Sequence, residues 1–177
     1  MKFTTAITSA IAATSASAMA IQARQVPNNT FLLMTKSDDT CFDGLYIEAY
    51  HTGAGLADAV LAGKEGGASF FFNGTRVDST VYGYNGGSNL GIAGLQLGNA
   101  IYEYNSWAAT TVDNGQGTTG YTYNETYGLA GDPYYEFAGW MACYWAHNGA
   151  PQLFNLAYPP GSFNKPDTCG YVNLFKA

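Results

Sequence analysis

The chain has 177 residues, a formal net charge of −6 and only 11% charged side chains, set against 15% aromatics and 22 glycines. That length suits one domain burying roughly two-thirds of its unfolded surface, and the composition suits strands and turns. Seven Lys and Arg in an acidic chain supply no basic stripe for phosphates, which excludes nucleic acid as a partner.

Residues 1–20 read as a signal peptide. Lys2 gives a positive start, Ala6 to Ala13 is a modest apolar run, and Ala18-Met19-Ala20 fits a small-x-small cleavage site. The run is too short to span a bilayer, and no later stretch reaches ~18 apolar residues. We therefore expect secretion and no membrane partner. Residues 21–30, with Pro27, read as a disordered leader, and residues 31–177 as a single all-β domain.

Phe31-Leu32-Leu33-Met34 is an apolar run bounded by turn-formers, as a strand requires. Asp38, Asp39, Asp43 and Glu48 bring calcium to mind, but an EF-hand register places Cys41 and Tyr50 at ligand positions, so a solvated acidic loop is expected. Leu45 to Tyr50 alternates with the period of a half-buried strand. Leu56 to Ala62 fits a helical turn, with a short strand at Ala59 to Leu61 equally expected, and Val77 to Tyr104, broken by glycines, reads as short strands and turns. Trp107 to Val112 with Tyr121 to Tyr123 is expected to form one hairpin, and Phe137 to Trp145 with Gln152 to Leu156 another. Tyr171 to Phe175 is a terminal strand, expected to pair with the one at Phe31.

One pattern recurs three times: a strand, a Gly turn and an aromatic strand ending in Asn73, Asn124 or Asn155. From Leu45, Trp107 and Trp140 to the turn glycines Gly53, Gly115 and Gly149 the spacing is 8, 8 and 9 residues. Three related hairpins flanked by strands predict a β-trefoil-like domain with pseudo-threefold repeats. An antiparallel β-sandwich with chance similarity of its turns is the alternative.

The chemistry-bearing residues are few. Asn28, Asn73 and Asn124 each open an N-x-Thr glycosylation sequon. His51, Asp113 and His147 hold the same place in the three copies, either as a polar set able to bind metal or shuttle protons, or as braces for their own turns; bracing is the expectation. Gly115 to Gly120 spells G-x-G-x-x-G, but an aromatic strand follows where a dinucleotide site needs a helix. Three cysteines leave one unpaired. Cys143 with Cys169 would tie the last strand to the third repeat, although Cys41 could pair with either. Tyr134 and Tyr135, after Asp132-Pro133 in a loop, are the aromatics expected to be exposed for a ligand.

Phe42-Asp43-Gly44-Leu45-Tyr46, Tyr50 to Ala59, Phe137 to Cys143 and Pro151 to Phe154 together resemble a family of small secreted fungal proteins classed as a domain of unknown function. The resemblance implies secretion and a Cys143–Cys169 disulfide, and it carries no catalytic residue. We expect a non-enzymatic β domain binding glycan at a cell wall or surface, without metal or cofactor. The alternatives are a secreted hydrolase with an unrecognised carboxylate pair and an effector or inhibitor that binds an extracellular protein.

Overall fold

The computed structural model describes residues 27–82, 89–133, 136–147 and 149–177. The predicted signal peptide over residues 1–20, the leader as far as residue 26, and both Tyr134 and Tyr135 lie outside the described residues.

Six antiparallel strands close into a barrel: β1 (Leu33–Lys36), β2 (Tyr46–Gly53), β3 (Leu56–Ala62), β11 (Gly139–His147), β12 (Ala150–Leu156) and β13 (Cys169–Lys176). The ring runs β3-β2-β1-β13-β11-β12 and returns to β3 where Gln152 faces Val60. Alternation drives the closure. Leu33 on β1, Ile47 on β2, Ala59 and Leu61 on β3, and Val172 and Leu174 on β13 are buried in one core, while Lys36, Asn173 and Lys176 are exposed. A strand with this period of two can bury only one face, and closing the sheet on itself hides that face without leaving an edge in the ring.

The remaining strands extend this barrel. β4 (Phe70–Asn73), β5 (Arg76–Tyr82), β6 (Asn89–Gln96) and β8 (Thr111–Asn114) form an antiparallel arm that joins β3 where Asp58 faces Thr111. Phe31 and Phe70 exchange two backbone hydrogen bonds of 2.8 Å, so the far end of the arm folds back onto the start of the barrel. β7 (Trp107–Ala109) adds to β12 on the other side. Thr110 joins β7 to β8 and fills the place where β12 and β3 diverge: its N–H donates to Leu153 and its carbonyl accepts from Ala59. A short helix, α1 (Ala100–Glu103), precedes β7.

The expected pairing of the first and last strands is present, with Met34 facing Phe175 and Thr35 facing Leu174. So is the β11–β12 hairpin; in place of a helical turn, a strand covers all of Leu56–Ala62, longer than the Ala59 to Leu61 strand expected. The second expected hairpin is not formed. β8 pairs with β6 and β3, whereas Thr122–Asn124 (β9) pairs with Gly128–Ala130 (β10). The reason is steric. The Gly115 to Gly120 loop packs so closely on β6 that a Cβ on Gly94 would overlap the backbone of Gly117, and this contact separates β8 from β9.

The β9–β10 hairpin lies against β13. A Cβ on Gly128, at φ 79°, would collide with the Leu174 carbonyl, Leu129 is buried, and its carbonyl accepts the Trp140 indole N–H at 2.7 Å. The Lys176 ammonium fastens the same hairpin. It lies 4.2 Å from the centre of the Tyr123 ring, 4.7 Å from Phe72 and 4.9 Å from Phe31, so one cation joins β13, β9, β4 and the N-terminal segment. Replacing it by an uncharged chain of similar length should cost about 1–2 kcal/mol. Lys176→Met should therefore lower the urea midpoint, and an unchanged midpoint would show that the cage contributes nothing.

Candidate functional site

The predicted disulfide is formed between Cys143 and Cys169, which face each other across β11 and β13, and Cys41 is free and exposed. The three sequon asparagines have different surroundings. Asn28 is exposed, Asn73 is half-buried with its Nδ2 donating to Asp78 at 2.9 Å, and Asn124 is exposed in the β9–β10 turn. The third repeat's Asn155 is buried, and its amide clamps both the N–H and the carbonyl of Gly98.

The polar set gathers around the start of β3. Asp113 reaches past its own turn to β3: Oδ1 accepts from Ala57 N–H at 3.0 Å and Oδ2 from the Thr111 hydroxyl at 2.7 Å. His51 is exposed and faces Ala57 across the β2–β3 hairpin. His147 also reaches beyond its own turn. Its Nε2 lies 2.9 Å from Asp58 Oδ2, and its ring packs 4.6 Å from that of Tyr50. Nε2 makes no well-directed hydrogen bond, so the two groups meet as charge partners when the ring is protonated. Among the described residues no three His, Cys, Asp or Glu side chains are arranged to hold a metal ion. The acidic loop braces itself: Asp39 Oδ1 accepts from Cys41 N–H and Asp43 Oδ1 from Ser37 N–H, both at 3.0 Å.

The aromatics divide into buried and open groups. Trp140 is 2% exposed and belongs to the barrel core. A second cluster lies apart from that core: Trp107, Trp145, Phe163 and Tyr171 pack against Met141, Phe154 and the disulfide, with Tyr104, half exposed, stacked on Trp107. Burial pushes the Tyr121 hydroxyl well above its usual range. Tyr123 is also raised, by desolvation and by Glu125, against the lowering effect of the Lys176 backbone N–H.

An open cleft of about 670 Å³ runs beside β1, β13 and the start of β11. Its polar groups are Lys36, Ser37, Asp38, Asp43 and Asn173, and Trp140, Pro160 and Tyr171 contribute to its apolar side. The walls are held in place. Ser37 donates from its hydroxyl to the Tyr171 carbonyl at 2.8 Å, and the Tyr171 hydroxyl accepts from Gly161 N–H at 3.2 Å, which fixes the loop carrying Pro160. Lys36 Nζ lies 4.5 Å from the centre of the Phe175 ring. Sequence reasoning noticed Asp38 and Asp43 only as loop acids. The expected pairing of the two end strands brings Tyr171 and Asn173 near β1, but no local pattern placed the loop carrying Asp38 and Asp43 beside them.

A family model described as a domain of unknown function (DUF7907) matches residues 28–177, and the chain belongs to that family. No curated protein and no solved structure matches it.

Proposed function

We propose that this family member is a secreted, non-enzymatic β domain that binds a wall or surface glycan, and that the glycan occupies the cleft beside β1 and β13. The observation that carries the reading is the cleft's composition. Its volume of about 670 Å³ falls in the range of small-ligand sites, where an apolar wall combines with a few placed polar groups. Carboxylates at Asp38 and Asp43 accept from sugar hydroxyls, the Asn173 amide both donates and accepts, and Pro160 and Tyr171 offer apolar surface to a ring face. A site braced by its own hydrogen bonds loses little freedom on binding. The disulfide agrees with an oxidising exterior. We also read the barrel as trefoil-like, on the strength of the β2–β3 and β11–β12 hairpins, both of which belong to the closed ring.

The test is retention of the protein on insoluble wall polysaccharides. Asp43→Asn and Asn173→Ala should each weaken retention roughly tenfold, the size of one lost hydrogen bond to a ligand. Tyr134→Ala and Tyr135→Ala test the loop pair on the same material. Full retention by both cleft variants would move the site elsewhere, and absence of retention by the native protein would remove the function. A hydrolase is the second reading, favoured by one observation: Asp38 and Asp43 share the cleft. It predicts release of soluble sugar, abolished by Asp38→Asn or Asp43→Asn.

A further inference from the structure

The β9–β10 turn gathers three features: a sequon, an exposed asparagine and, among the described residues, the most exposed large apolar side chain, Tyr127 at 75%. We propose that Asn124 carries an N-linked glycan and that its first sugar covers the Tyr127 ring. Asn124 Oδ1 accepts from Thr126 N–H at 2.7 Å, so one side-chain turn holds both defining residues of the sequon. This turn uses the amide oxygen, not the amide nitrogen that would carry the sugar. Asn124, Glu125, Thr126 and Tyr127 are all exposed, which gives a branched sugar room to extend from the hairpin tip.

Asn73 offers the contrast. Its Nδ2 donates to Asp78, a carboxylate with no exposure to solvent. A sugar on that nitrogen would have to be accommodated beside a buried acid, so the folded, secreted pool carries Asn73 unmodified. The sequon alone does not distinguish Asn73 from Asn124; the use of the amide nitrogen does.

The Tyr127 ring supplies the second half of the inference. A large ring exposed at a hairpin tip gains nothing from the barrel core, whereas a pyranose face three residues away can cover it. In the reaction, Asn124 Nδ2 attacks the anomeric carbon of an oligosaccharide linked to a lipid pyrophosphate. The N–C bond forms, the bond from the anomeric carbon to the pyrophosphate oxygen breaks, the amide loses one proton and the lipid pyrophosphate departs. The exporting cell supplies the donor and the transferase, so no group of this chain acts as catalyst.

The experiment is expression of the full chain in a eukaryotic secretory host, with peptide mapping of the secreted protein before and after enzymatic removal of N-glycans. A parallel version, in which a host signal replaces residues 1–20, keeps the test decisive if the native N-terminus does not export. We expect the peptide containing Asn124 to carry glycan, Asn124→Gln to lose it, and the peptide containing Asn73 to be unmodified. Removing the glycan should lower the thermal midpoint by about 2–4 °C in the native sequence and by much less in Tyr127→Ala. An unmodified Asn124 in exported, folded protein would overturn the site. Equal midpoint shifts with and without the Tyr127 ring would overturn the stacking. Glycan at Asn73 would overturn the contrast between the two asparagines.

Discussion

Asp78→Ala should destabilise the domain by about 3–5 kcal/mol, lowering the thermal midpoint by roughly 10 °C. Asp78 lies on β5 with no solvent exposure, and each carboxylate oxygen has a partner at 2.9 Å: Oδ1 accepts from Gly117 N–H and Oδ2 from the Asn73 amide. The acid therefore holds the glycine loop on the arm and the β4–β5 turn in register. Alanine leaves two donors facing a cavity, one of them a main-chain N–H at a glycine already in close contact with Gly94. Asp78→Asn should cost less, because one acceptor survives while the new N–H confronts the Asn73 amide. Chemical unfolding of the three proteins gives the order, and equal stability of native protein and Asp78→Ala would show that this loop is held by packing alone.

The second large effect is loss of the disulfide. Cys143 and Cys169 are 26 residues apart and buried, and a closed loop of that size restricts the unfolded chain by about 3 kcal/mol. Cys143→Ala with Cys169→Ala should therefore lower the midpoint by roughly 6–12 °C. Reductant should bring the native protein towards the same value, while Cys41→Ser should leave it unchanged. A native protein indifferent to reductant and to the double substitution would mean that the β11–β13 pairing needs no covalent support.

These two sites differ in how they could be read. The cysteines were legible because their type restricts their partners. Asp78 was not, since an aspartate in an alternating strand looks like any solvent-facing acid, and its burial follows from a loop about 40 residues later folding over it. Trp140 behaves similarly. Its burial is decided by tertiary contacts, since the barrel encloses it and the Leu129 carbonyl accepts its N–H. The repeated asparagines show the limit of pattern: Asn73, Asn124 and Asn155 match in sequence, but one braces a buried acid, one faces solvent and one clamps a loop.

By itself the sequence determined a single all-β domain, the strands at both ends and their pairing and the β11–β12 hairpin, and it favoured Cys143 with Cys169 while leaving Cys41 as a competing partner. Each rests on local signals: period-two burial, glycine turns and the chemistry of sulfur. Only the tertiary structure decided that six strands close into a barrel, that β8 joins β6 and β3 instead of β9, and that Asp43 and Asn173 share one cleft. Those depend on contacts between distant segments, where fit between packed surfaces, such as two glycine backbones pressed together at Gly94 and Gly117, selects one pairing among several that the local pattern permits.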